Sequence, residues 1–230
     1  MCKNKKFLLI TNLVFLAALI IGDIFYITMG GIVTKTLTSM LFVMLGAINL
    51  TYVLMFGARR KSFAILMCIG LVFACLGDIF LEIQFITGAA LFAGGHILFF
   101  LAYCTIYPIK WRDFLFGAVI FVPSLLIILL VPLFNFGGEL MQIVCCVYAL
   151  IISLMVGKAI SNLISKTCAL NIILLIGSVL FFFSDFFLLF SVFANVSNVF
   201  GILCLSLYYP AEFFLAFAIS KSRKENVENK

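Results

Sequence analysis

The sequence predicts an all-α, polytopic membrane protein with eight transmembrane helices and both termini on the cytoplasmic side. Three observations carry this. Apolar residues fill 66% of the 230 positions and charged residues 10%, against roughly 45–50% and 25% in an ordinary soluble domain. Eight apolar runs, each near the ~20 residues a helix needs to cross the hydrocarbon layer, follow one another with short connections. The basic residues, finally, cluster in alternate connections, as expected of loops on the cytoplasmic face.

The composition excludes a soluble domain, a disordered chain and a secreted disulfide scaffold. A soluble protein would have to hide most of its 28 Phe behind a surface supplied by only 15 Lys and Arg and 9 Asp and Glu. Cys68, Cys75, Cys104, Cys145, Cys146 and Cys204 lie inside apolar runs without paired spacing, so they read as reduced core or lipid-facing thiols. The net charge of +6 belongs to the connections and gives no nucleic-acid patch.

The first span, Phe7–Ile27, follows a short basic segment (1–6) and reaches Gly22-Asp23 where a signal peptide would carry a small-residue cleavage site, so it is read as retained. The following spans are Val33–Phe56, Phe63–Ile83, Thr87–Tyr107, Phe114–Phe134, Glu139–Ile160, Ala169–Phe193 and Asn198–Ser220, and a charged tail occupies 221–230. The chain thus reads as a single eight-helix unit over 1–230. A transmembrane barrel would need strands alternating polar and apolar residues, and runs such as FLFGAVIFVPSLLIILLVPLF (114–134) do not alternate.

Eight crossings put five segments on the side of the N-terminus. These hold Lys3, Lys5, Lys6, Arg59, Arg60, Lys61, Lys110, Arg112, Lys158, Lys166, Lys221, Arg223, Lys224 and Lys230, leaving only Lys35 on the far side. Omitting an early span would scramble this asymmetry. Short loops and compact size suit a bacterial cell membrane.

Ionisable groups inside spans cost about 2.5–3.5 kcal/mol each on insertion scales, so each needs a partner, a cavity or a function. Here they are Asp23, Asp78, Glu82, Asp185, Glu212 and the only histidine, His96. At about 1.5 Å per residue, the three aspartates reach the outer half of their helices, with His96 and Glu212 at or just below that level and Lys35 opening the second span on the same side. Residues four apart share a helix face, which pairs Asp78 with Glu82 and Tyr208 with Glu212. Gly94-Gly95 before His96 permits close helix approach, and Pro210 should kink the last span.

Bland readings compete. Asp23 and Glu82 can be solvated near the interface, Lys35 can be an interfacial anchor or a counter-ion, and His96 can be an interhelical hydrogen-bond donor. Asp78 and Asp185 are deeper, without a nearby basic residue in their own helices, and are read as functional. Tyr208 and Tyr209 can be interior polar anchors, and Phe181–Phe183 packing or lipid-facing residues. GDIF recurs at Asp23 and Asp78, a repeat short enough for chance. One histidine and no Cys/His cluster disfavour a zinc centre, and neither a metal nor another cofactor is expected.

LGDIFLEI (76–83), GGHILFFLAY (94–103), GSVLFFFSDFFLLF (177–190) and LSLYYPAEFFLAFA (205–218) resemble, in order and spacing, the signature segments of the YhhN-like lysoplasmalogenase family. TKTL (34–37) is similar to that family's TKPL. The resemblance implies an eight-helix membrane fold and hydrolysis of the vinyl-ether bond of a lysophospholipid, the lysoplasmenyl type, to a fatty aldehyde and a glycerophosphoethanolamine or glycerophosphocholine. It places the family's proposed catalytic pair on Asp78 and Asp185. Thr36 stands where the family usually has Pro, Phe99 where a Tyr is common, and Glu212 where Gln is usual.

Such chemistry suits the residues. A vinyl ether is hydrolysed by protonation at carbon, giving an oxocarbenium ion that water captures. Two carboxyls in a poorly hydrated pocket can divide the tasks of acid and counter-charge, as in glycoside hydrolysis. Asp78 and Asp185, expected to face one another across a single lipid-accessible chamber, take these roles in either order, His96 and Tyr209 would orient water or the departing oxygen, and Lys35 would attract the substrate phosphate. The rival readings are a proton-coupled transporter, since intramembrane carboxylates also form relays, and a non-catalytic lipid-binding protein.

Overall fold

A computed structural model describes residues 2–57 and 60–222, with the side chains of 2–5 excepted. Among the described residues there are eight helices, each long and apolar enough to cross a membrane, and no strand beyond one isolated bridge between Phe134 and Ala194. They are α1 (Cys2–Met29), α2 (Ile32–Met55), α3 (Lys61–Ile83), α4 (Phe85–Ile106), α5 (Trp111–Leu130), α6 (Glu139–Ser165), α7 (Ala169–Phe193) and α8 (Val199–Ser220). Most side chains of the basic leader, Arg59 and the tail from Arg223 onward lie outside the described residues.

The eight expected spans are all present; their ends differ for local reasons. The fifth stops at Leu130, not Phe134, because Val131 precedes Pro132 and takes the extended conformation (φ −80°, ψ 115°) that a following proline imposes. The sixth runs past Ile160 to Ser165, since Ser161, Asn162 and Ser165 are engaged by Arg112 and Asn171 and so belong to the packed helix. Proline does not interrupt α5 at Pro123 or α8 at Pro210. Between α1 and α2 the chain reverses at Gly30 and Gly31, with φ of 67° and 90°, a region where side chains are strained and glycine is not.

Helices α2, α3, α4, α6, α7 and α8 form a closed ring in which each packs on the next and α8 returns to α2. Helix α8 also touches α1 and α3, and it is the most deeply buried of the eight. Helix α1 lies outside the ring against α2 and α8, whereas α5 packs on α6 alone. The α3–α4 pair is the most extensively packed, helped by Gly95, where a Cβ would stand 3.2 Å from the Gly70 carbonyl. Phe42, Phe63, Phe99, Tyr103 and Phe181 are fully buried in the core, while Phe7, Leu13, Ile24, Val119 and Leu126 project from the outer faces of α1 and α5, as lipid-facing residues should. The Phe181–Phe183 run thus splits, with Phe181 in the core and Phe183 exposed.

Candidate functional site

The far ends of α1, α3 and α7 and the near ends of α2, α4 and α8 meet on the side opposite the chain termini. Two carboxyl clusters lie there. In the first, Asp78 of α3 is buried and accepts hydrogen bonds at Oδ2 from Ser39 Oγ (2.5 Å) and Tyr208 Oη (2.7 Å). Lys35 Nζ stands 3.9 Å from the other oxygen, Oδ1. One turn outward, Glu82 Oε1 accepts from Lys35 Nζ (3.0 Å) and Tyr26 Oη (2.8 Å). Lys35 is therefore a counter-ion, held between two carboxylates on one face of α3, and the i,i+4 placement of Asp78 and Glu82 explains why a single cation can serve both.

In the second cluster, Asp185 Oδ2 of α7 accepts from Tyr148 Oη of α6 at 2.6 Å. His96 Nε2 of α4 stands 2.8 Å from that hydroxyl oxygen and 3.3 Å from Asp185 Oδ2. Nε2 thus lies within hydrogen-bonding reach of both the phenol and the carboxyl, and its role toward each follows the ring tautomer. The imidazole is also packed edge-on against Phe181, with ring centroids 4.6 Å apart.

Among the described residues Asp78 and Asp185 share no hydrogen-bond partner, so the single chamber expected from the sequence is divided in two. Between their clusters stand the rings of Phe92, Phe181 and Tyr208, in mutual edge contacts of 5.4–6.1 Å. Tyr208 is part of both the wall and the Asp78 cluster: its hydroxyl donates across to Asp78, with Glu212, four residues on, beside it. Glu212 is fully buried, and the Tyr209 hydroxyl is buried beside Ser39, but neither Glu212 nor Tyr209 makes a well-formed hydrogen bond, and Asp23 Oδ1 is buried without one as well. Tyr209 and Glu212 therefore flank the Asp78 cluster through Ser39 and Tyr208, whereas Asp23 joins neither cluster's hydrogen bonds.

Two cavities adjoin the clusters. One is an open apolar cleft with Asp185 and Tyr148 in its wall and Phe85, Phe92, Phe182, Phe186 and Phe193 among its lining, bounded by Ser124 and Ile128 on α5. The other, also open on one side, is lined by Tyr26, Lys35 and Glu82 together with Ser191 and Cys204. Leu81, Phe85 and Leu188 line both. Leu81 and Leu188 follow Asp78 and Asp185 by three residues, on the same helix faces, so the seam between the cavities lies one turn outward of the two aspartates. Among the described residues no three His, Cys, Asp or Glu side chains are grouped so as to hold a metal ion.

Sequence reasoning missed Tyr148, Ser39 and Tyr26. Tyr148 had a signal, since a tyrosine in mid-span needs a partner for its hydroxyl, and Ser39 follows Lys35 by one turn. Tyr26, at the end of its span, gave no sign of reaching Glu82.

Fold and site together define a polytopic integral membrane protein with two buried carboxyl clusters beside an apolar cleft. The chain belongs to the YhhN family, whose model matches residues 30–219. No curated protein and no solved structure matches it.

Proposed function

We propose that the protein is a membrane hydrolase that cleaves the vinyl-ether bond of lysoplasmalogens. The observation that carries this reading is the apolar cleft with a hydrogen-bonded aspartate in its wall, joined through the Leu81–Phe85–Leu188 seam to a cavity holding Lys35. A lysolipid has the same order of parts: an aliphatic chain, a reactive ether and a charged phosphate.

The alkenyl chain lies in the cleft, and the ether falls at the seam. Asp185, the carboxyl that lines the cleft, delivers a proton to the vinyl carbon remote from oxygen, and the double-bond electrons form the new C–H bond. The resulting oxocarbenium ion is attacked by water. Asp185, ionised by the first step, takes a proton from that water, which restores the acid and yields a hemiacetal; the hemiacetal hydroxyl then passes its proton to the departing glycerol oxygen, and the aldehyde and the free glycerol hydroxyl result. Tyr148 and His96 fix the carboxyl of Asp185, and Asp78, held by Ser39, Tyr208 and Lys35, supplies negative charge while the cation exists. In this reading the termini face the cytoplasm and the clusters lie toward the outer leaflet.

The test is aldehyde release from a lysoplasmenyl lipid by purified protein, with Asp78→Asn and Asp185→Asn alongside. Wild type should release aldehyde and both folded variants should lose about 10²–10⁴-fold in rate, the usual contribution of a general acid or base. Undiminished release by both variants removes the carboxyls from catalysis. No release by folded wild type turns the reading to transport or lipid binding.

A further inference from the structure

The chain of a membrane lipid gains little on entering an apolar cleft, because it leaves one hydrocarbon environment for another. Selectivity among lipids sharing that chain must come from the head group. The second cavity is where the protein meets it, and its charges are paired: Lys35 and Glu82, 3.0 Å apart, both line the space.

Neither charge is fully committed. Glu82 receives both its hydrogen bonds on Oε1, which leaves Oε2 without a partner among the described residues, and its side chain is the more open of the two at 33% exposed. Lys35 has three N–H donors and spends one on Glu82, with Asp78 beyond hydrogen-bonding distance at 3.9 Å. A cavity presenting one cation beside one anion repels neither end of a zwitterion, whereas a purely anionic head group would set its second charge against Glu82.

The same cavity distinguishes between ammonium types. A quaternary ammonium has no N–H to donate and is held by the faces of several aromatic rings. Here the aromatic liners are Tyr26 and Phe85. The Tyr26 ring already has Lys35 Nζ over it, 5.6 Å from its centroid, and Phe85 is engaged edge-on with Phe193 at 5.3 Å. A primary ammonium instead can give N–H bonds to Glu82 Oε2.

We propose that the cavity among α1, α2, α3, α4, α7 and α8 is a head-group site for a zwitterion bearing a primary amine, with phosphate on Lys35 and ammonium on Glu82, so that phosphoethanolamine lysolipids are taken in preference to phosphocholine ones. The proposal rests on the lipid-hydrolase reading for its ligand but not on catalysis. It is therefore tested by equilibrium binding of radiolabelled, uncleavable alkyl-ether lysolipids to detergent-purified protein. The two ligands carry the same chain with ethanolamine or choline head groups. Wild type should bind the ethanolamine lipid at least about five-fold more tightly. Glu82→Gln should bring the two affinities together by weakening the ethanolamine lipid, with the choline lipid unchanged. Equal binding by wild type, binding of neither lipid, or a preference that survives in Glu82→Gln overturns the proposal. Because binding is read without turnover, a protein that selects ethanolamine but releases no aldehyde would separate this site from the hydrolase reading.

Discussion

The two halves of the bundle treat buried polar groups in opposite ways. On the side of the chain termini they fasten helices together. Asn49 donates to Asn12 and to the Ala216 carbonyl, joining α2 to α1 and α8. Asn162 donates to the Tyr103 carbonyl and Asn171 to the carbonyls of Asn162 and Lys166. Lys158 is buried against Asp113 at 2.7 Å and the Pro108 carbonyl at 3.0 Å, while Arg112 reaches Ser161 and Ser165. These side chains end largely on backbone carbonyls or fixed partners. On the opposite side the polar groups end on one another, around Asp78, Glu82 and Asp185, and two cavities adjoin them. A buried polar group that closes on the backbone holds helices in place; one that closes on other side chains beside a cavity is available to a ligand.

The comparison breaks most sharply at the aspartates. Asp78→Asn and Asp185→Asn keep size and hydrogen-bonding capacity but give up the acid or the charge, so rate should fall by about 10²–10⁴-fold while thermal unfolding in detergent changes little. Lys158→Met should do the reverse. It leaves Asp113 buried without its cation, which costs about 3–5 kcal/mol, seen as early unfolding, with aldehyde release per folded molecule retained. Asn49→Leu removes an interhelical bond of the kind worth about 0.6–1.7 kcal/mol and should lower stability by a similar amount. Tyr209→Phe should be the mildest, because its buried hydroxyl lies beside Ser39 without a well-formed hydrogen bond to lose; unchanged rate and stability would separate Tyr209 from Tyr208, whose hydroxyl is bound to Asp78.

Much of this contrast could be read from the chain. Runs of apolar residues between charges located all eight helices, and the bias of basic residues suggested which ends lie together. The i,i+4 rule put Asp78 and Glu82 on one face, and both meet Lys35 as that placement requires. Periodicity gives the faces of a helix, however, and not its neighbours. It could not show that α8 would be central and α5 peripheral, nor that Tyr208 would reach across to α3 in preference to its own i+4 neighbour. It also could not separate the aspartates into two clusters, because the wall between them is built of Phe92 and Phe181, indistinguishable in sequence from the phenylalanines that face lipid.

In the proposed binding mode an aliphatic chain runs through the cleft past Asp185 while its head group sits beside Lys35 and Glu82. A structure of the protein with an uncleavable alkyl-ether lysolipid bound tests this. Continuous density is expected from the phenylalanine-lined cleft across Leu81, Phe85 and Leu188, with the ether oxygen at that seam and the phosphate within hydrogen-bonding distance of Lys35 Nζ. Lipid bound only on the outer faces of α1 or α5, with the cleft unfilled, would contradict it.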